Sequence, residues 1–143
     1  MELLLPAQLL SARMAAQAAI DFDPVEGERL GIVLTEIVTN IVRHGWRGRP
    51  SDHIELAIRH DPAGSSVIAT VRYPGLPFDW LIPAHTAEAM IEPLRTDGGL
   101  GLLLIHSIAD DVASGSDGQW QELTIVRRLR QRMLERPVDR RAA

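Results

Sequence analysis

Glu36-Ile37-Val38-Thr39-Asn40-Ile41-Val42-Arg43-His44 is the stretch that decides the fold. It is placed on a helical wheel at about 100° per residue, with Leu30 as origin. Leu34, Val38, Ile41 and Val42 then fall between roughly 20° and 120°, and Val33 and Ile37 near roughly 300° and 340°. This apolar stripe faces a core. Glu28, Thr35, Thr39 and Arg43 fall on the opposite, wet side. Glu36, Asn40 and His44 form one row, at i, i+4 and i+8, along the border of the stripe. A carboxylate and an amide at a core border are costly unless they find partners. Two kinds of partner are open: neighbouring backbone, or a bound ion or polar ligand. A Glu and an Asn one turn apart make good oxygen ligands, or a base beside a ligand, and Mg²⁺ prefers such oxygens together with phosphate and water. His44 alone reads as a packed or C-terminal helix histidine, favoured by the helix dipole when charged.

The flanking chain supplies the other elements. Asp23-Pro24 starts this helix, because Asp can cap and Pro fits the first turn. Glu26 stands three residues after Asp23, as in a capping box, and Gly45 ends the helix. Upstream, Glu2 to Leu5 reads as a strand, and Pro6 opens a helical stretch with apolar Leu9, Leu10, Met14, Ala15 and Ala18. That helix exposes Arg13 and Gln17 beside a stripe of Ala12, Ala15, Ala16, Ala18 and Ala19, small residues that suit close helix packing in a core or a dimer. Downstream, Ile54, Leu56 and Ile58 alternate with Glu55, Ala57 and Arg59, the pattern of a strand with one wet face. Asp61-Pro62-Ala63-Gly64 is a hairpin turn into a strand over Val67 to Val71. Leu100 to Ile108 is a strongly apolar helix, and Val112-Ala113 and Gln121 to Val126 are two more strands about a Gly115-to-Gly118 turn. The order predicts an α+β fold: a two-layer sandwich with helices on one face of a mixed, mainly antiparallel sheet.

Residues 73 to 99 stand apart. They hold Pro74, Gly75, Pro77, Pro83, Pro93, Gly98 and Gly99, and a long aperiodic segment inside a small domain is usually functional. It ends in Asp97-Gly98-Gly99-Leu100-Gly101, which leads directly into Leu102-Leu103-Leu104-Ile105. Glycines at a helix start cost backbone entropy and permit close approach of another group. Backbone N–H groups there make an anion site, for which phosphate is the usual guest. The Walker pattern is excluded because the chain contains no lysine, and the GxGxxG fingerprint is absent.

Composition sets the outer bounds. The 143 residues suit one domain, and 45% apolar with 24% charged residues is an ordinary globular balance. No apolar run approaches the roughly 20 residues that span a bilayer, and MELLLPAQLL lacks the basic and apolar regions of a signal peptide. Without cysteine there is no disulfide framework or thiolate metal site, and a cytoplasmic location is expected. The net charge of −4 argues against bulk attraction to nucleic acid. Within residues 127–143, however, seven arginines face only Glu135 and Asp139, a local charge of +5. That tail reads either as a solvated terminus or as a contact for an acidic partner. His53, His60, His85 and His106 show no metal-ligand spacing.

Taken together, these motifs resemble the GHKL (histidine-kinase-like) ATPase superfamily, and within it most closely the anti-sigma-factor serine kinases. Glu36 to His44 matches the family's N box, with Glu, Asn and His at the expected positions. Gly98-Gly99-Leu100-Gly101-Leu102 matches the G2 box, with Asp110-Asp111-Val112 following. Tyr73-Pro74-Gly75-Leu76-Pro77-Phe78-Asp79 matches the G1 region, including the Pro-Phe-Asp ending of the kinase branch. The resemblance covers about residues 5 to 129, leaving 130–143 as an arginine-rich tail. It implies an ATP-binding α/β sandwich (the Bergerat type) using ATP and Mg²⁺. Asn40 would hold Mg²⁺, and Glu36 would be the general base taking the proton from a partner's serine hydroxyl. Gly98, Gly99, Leu100 and Gly101 would offer backbone to the phosphates, with His44 at the same site. Gly75 would let the loop pass close to the adenine, and residues 81 to 96 would be a lid over ATP. A sigma factor and an anti-anti-sigma antagonist would be the partners, and the chain would be a homodimer.

Two positions depart from the pattern. The G1 motif normally begins with an Asp that accepts a hydrogen bond from the adenine amino group; here it is Tyr73, which is larger and neutral. The arginine that some members carry just before the G2 glycines is here Asp97, with Arg95 two residues earlier as its substitute. Two readings therefore stand. One is an active ATP-dependent serine kinase acting on an antagonist. The other is a nucleotide-degenerate module of the same fold that acts by sequestering a partner. An ATPase domain cut from a sensor histidine kinase is a third, disfavoured because the chain is short and lacks a dimerisation helix pair and a phospho-acceptor segment.

Overall fold

The computed structural model describes residues 1–77, 80 and 99–129. Strand β1 (Glu2–Leu5) is followed by helices α1 (Leu10–Phe22) and α2 (Gly27–Asn40), the latter continued by a π-helical turn (Ile41–Gly45). Strands β2 (Ile54–His60) and β3 (Ser66–Pro74), helix α3 (Gly99–Ile108) and strands β4 (Asp111–Ser116) and β5 (Trp120–Arg128) complete the described chain. Phe78-Asp79, the stretch expected as a lid with Arg95, Asp97 and Gly98, and the tail 130–143 lie outside the described residues.

The strands form one sheet in the order β1-β2-β3-β5-β4. All four described pairings are antiparallel, so the parallel component of a mixed sheet is not found among them. The longest, β3 with β5, runs from Ser66↔Arg128 to Pro74↔Trp120. The alternation read in the sequence sorts the two faces. Ile54, Leu56, Ile58, Val67, Ala69, Val71, Leu123 and Ile125 are buried under the helices. On the other face Arg72 donates to Glu55 at 2.9 Å, lies 3.4 Å from Glu122 and covers the Trp120 ring. Such half-exposed charge ladders stabilise little and keep the face wet.

Alanine decides how the helices meet. Ala12, Ala15, Ala18 and Ala19 are buried, whereas Leu9, Leu10 and Met14, although apolar, face outward. A side chain on Gly27 would strike the Ala19 carbonyl, and one on Gly31 would come within 3.3 Å of the Ala16 carbonyl. The small-residue stripe thus brings α1 and α2 almost backbone to backbone. At the start of α2, Asp23 Oδ1 accepts from the N–H groups of Val25 and Glu26 at 3.0 and 3.1 Å, as the expected cap does. Glu26 does not reach back in a capping box. Its carboxylate instead takes Arg127 Nε at 2.5 Å, and Arg127 Nη1 reaches the Ile108 carbonyl at 2.8 Å.

Candidate functional site

Helix α2 delivers its polar row to the opposite end of the sheet. Glu36 is half-buried and Asn40 is 3% exposed. The α-helical repeat then fails: Trp46 N donates to Ile41 O at 2.7 Å, a five-residue π bond. Single π turns are frequent at functional sites. The widened turn carries Arg43 and His44 into solvent. His44, expected in the same row, is exposed on this turn, whereas Glu36 is half-buried and Asn40 buried.

The turn also has a visible task. It brings Gly45 to the end of β3, where Leu76 N donates to Gly45 O at 3.2 Å and Arg47 N to Pro74 O at 3.1 Å, beside an antiparallel bridge between Trp46 and Gly75. A side chain on Gly75 would collide with the Gly45 carbonyl, so glycine is required by this close approach. Gln121, 5% exposed, secures the same loop by donating from Nε2 to Gly75 O at 3.0 Å. Gln121 was not among the residues picked out from sequence. Its signal was a polar side chain in the inward register of Leu123 and Ile125.

Tyr73 occupies the centre of this junction. It is the last inward residue of β3 before the loop, pairs with Gln121 and is fully buried. Its ring lies against Gly45, 3.1 Å from where a side-chain carbon on that residue would stand. Burial pushes the phenol above its ordinary pKa, and a polar interaction with the Trp80 side chain offsets only part of this. Trp80, 2% exposed, is tied by its carbonyl to His106 Nε2 at 2.5 Å, and Trp46 is half-buried. Beyond its contact with the Trp80 side chain Tyr73 Oη has no hydrogen-bond partner, and Asn40 Nδ2 has none; these are the two such buried side-chain polar atoms among the described residues. Each costs on the order of 1–3 kcal/mol while unpaired.

Helix α3 closes the site from the other side. Gly99 is its first residue, followed by Leu100 and Gly101. A side-chain carbon on Gly101 would stand 2.5 Å from Glu36 Oε2, so the glycine-rich helix start and the carboxylate of α2 are in direct apposition. The motifs at 36–40 and 99–101, separate in sequence, thus share one place. No group of three or more His, Cys, Asp or Glu side chains that could hold a metal gathers among the described residues. A divalent cation beside Asn40 would draw most of its ligands from phosphate and water, the usual manner of Mg²⁺. The unpaired Asn40 Nδ2 is a donor that suits a phosphate oxygen beside the α3 start, whereas Mg²⁺ would take the amide oxygen. Where the resemblance implies an adenine-binding carboxylate, the chain has the buried phenol of Tyr73.

With this arrangement established, the comparisons place the chain. The family model for the histidine kinase-like ATPase domain matches residues 4–127, and the chain belongs to that family. It is a domain of the GHKL type, as the order of its motifs implied. Among solved structures, the histidine kinase domain of the blue-light-activated histidine kinase EL346 from Erythrobacter litoralis is similar at 19% identity and a TM-score of 0.55. That match covers 90% of this chain and 64% of the other, so the chain spans less than two thirds of that relative. The histidine kinase AdeS of Acinetobacter baumannii matches at 14% identity and a TM-score of 0.47, over 90% of this chain and 67% of that one. Identities this low show the fold alone. No curated protein matches the sequence. No helix among the described residues is long and apolar enough to cross a membrane.

Proposed function

We propose that the chain is an ATP-dependent serine-protein kinase of the anti-sigma-factor type, which binds a sigma factor and phosphorylates a serine on an antagonist protein in the bacterial cytoplasm. One observation carries this reading: the buried Asn40 Nδ2, a donor without a partner and so suited to a phosphate oxygen, lies one helical turn from Glu36, whose carboxylate rests on the glycine start of α3. Asn40 would hold Mg²⁺, which neutralises charge on the transferring phosphoryl group when bound. Gly99, Leu100 and Gly101 would offer backbone N–H groups to the phosphates, with Gly98 and Arg95 contributing from the preceding segment. Glu36 would accept the proton of the attacking serine hydroxyl. Positioning and charge neutralisation supply most of the catalysis of phosphoryl transfer, and a base within hydrogen-bond reach adds about 10²–10⁴-fold. Glu36→Ala is therefore expected to reduce phosphotransfer to a co-encoded antagonist at least about 100-fold while ATP affinity, measured by calorimetry, changes little. Unchanged transfer would remove Glu36 as the base.

A second reading is favoured by Tyr73, which fills the base-facing position from within. In that reading the chain captures its partner without using nucleotide. Partner binding that is identical with and without millimolar Mg·ATP, together with no heat of ATP binding, would select it over the kinase. A homodimer is part of either proposal and is tested by light scattering in solution.

A further inference from the structure

Behind the site, on the sheet face turned away from the helices, a second recess opens. Tyr73 and Gln121 pair in the inward register, so Pro74 and Trp120, the next pair, point outward. With the loop 47–52 and Leu76 they line a cleft of about 420 Å³. Its walls are held by the backbone. A side chain on Gly48 would strike the Trp46 and Pro74 rings. Gly75 N donates to Gln119 O at 3.0 Å, and Asp117 Oδ1 accepts from the Gln119 and Trp120 N–H groups at 3.1 and 2.7 Å. Walls fixed in this way need little ordering when a ligand enters, which lowers the entropic cost of binding.

The charged groups of the cleft are unevenly paired. Arg47 and Arg49 are both exposed. Arg47 Nη1 donates to the adjacent Trp46 carbonyl at 2.7 Å. Arg49 Nε stands 3.8 Å from Asp52, beyond hydrogen-bond length, and the same carboxylate oxygen already accepts from the Arg49 backbone N–H at 2.7 Å. Two guanidinium groups thus share one committed carboxylate, beside an apolar floor of Pro74, Trp120 and the exposed Leu76. A guanidinium fork takes carboxylate or phosphate. The surroundings choose between them. On the same face Glu55 and Glu122 flank Arg72, whose guanidinium lies 5.3 Å from the centre of the Trp120 ring. A nucleic-acid strand would carry its phosphates onto those carboxylates and would find one face of the ring already covered. A short acidic peptide fits between them. We infer that the cleft binds a short acidic segment of a partner protein, with carboxylates on Arg47 and Arg49 and an apolar residue on Leu76 and Trp120. This binding needs no nucleotide, because the cleft lies on the face away from Glu36 and Asn40, and it suits the kinase and the sequestering module equally.

The test is titration of the isotope-labelled full chain, without nucleotide, with an end-capped peptide that has two aspartates on either side of a leucine, and with its isostere carrying asparagine instead. The acidic peptide is expected to shift the Gly48, Gly75, Leu76 and Trp120 amides, and the isostere to bind at least about tenfold more weakly. Arg47→Glu combined with Arg49→Glu should weaken the acidic peptide at least about tenfold and leave the melting temperature within about 2 °C, since both side chains are exposed. Should that double variant not fold, Arg49→Gln decides the matter, with a loss of about threefold or more. Equal binding of the two peptides overturns the inference, as do no binding of either, affinities that ignore the arginine variants, and shifts confined to residues 130–143. Tighter binding of a single-stranded oligonucleotide at the same amides also overturns it and gives the cleft to nucleic acid. All of these outcomes leave the kinase reading standing, because Glu36→Ala tests that separately.

Discussion

Helix α2 has polar residues buried at both ends, and the two ends are treated differently. At its start, Asp23 caps two N–H groups and lies 3.5 Å from His60, while Glu26 is locked to Arg127, itself bonded to the Ile108 carbonyl. At its finish, Asn40 Nδ2 has no partner among the described residues, and Tyr73 Oη has none beyond its contact with the Trp80 side chain. Burial is similar at the two ends, so burial does not explain the difference. Partnered groups hold the corner between α1, α2 and β5 in place. Unpartnered ones lower stability and leave bonding capacity in reserve, the pattern expected where a structure departs from self-consistency in favour of a ligand.

The contrast yields a graded set of expectations. The largest effect belongs to the satisfied end. Glu26→Ala leaves the largely buried Arg127 guanidinium without its carboxylate, and should cost about 3 kcal/mol, lowering the melting temperature by roughly 10 °C. A change below about 2 °C would show that the pair is not structural. Gly101→Ala comes next. Its new methyl meets the mobile end of Glu36, so stability should fall by less than about 1 kcal/mol. Phosphotransfer should fall about tenfold or more, because the carboxylate is displaced. In a Glu36→Ala background the same substitution should be nearly silent, and equal effects in both backgrounds would refute the apposition.

The smallest effect has the opposite sign. Tyr73→Phe removes a buried hydroxyl whose contact with Trp80 offsets only part of its burial, without changing the ring, and should raise stability by about 0.5 kcal/mol, roughly 1–2 °C in a thermal melt. Its pH dependence follows from linkage. Tyr73 has a raised pKa in the folded state, so the unfolded chain loses the phenolic proton first, near the ordinary value of 10.0. The corresponding stability is fully present below that pH and is lost as pH rises above it toward the folded-state value. The stability gap between Tyr73→Phe and the wild type should accordingly widen above pH 10; a constant gap would contradict a buried neutral phenol.

Much of this was legible in the sequence because side-chain periodicity reports which face is buried. The Leu30-to-Val38 stripe, the alternation of β2 and the Asp23 cap all appear where the pattern puts them. Features that depend on backbone geometry were not legible. One extra residue in the turn at Ile41–Gly45, where His44 is exposed, leaves no mark on composition. The partner of Glu26 lies 101 residues away, so the local capping-box spacing pointed to a backbone bond that a distant arginine displaces. Leu9, Leu10 and Met14 look like core residues, but the alanine face of the same helix packs closer and takes the interior. The departure at Tyr73 was visible as a residue identity; its complete burial and missing bond required the fold.

The junction at Gly75 has one more consequence, for how exchange with solvent should vary along the chain. The Gly75 amide donates to Gln119 O at 3.0 Å, its carbonyl accepts from Gln121, and the Leu76 amide donates to Gly45 O. The glycine that sequence logic would mark as the pliable point of the loop is therefore fastened to two different elements. In deuterium exchange the Gly75 and Leu76 amides should behave like amides of the sheet.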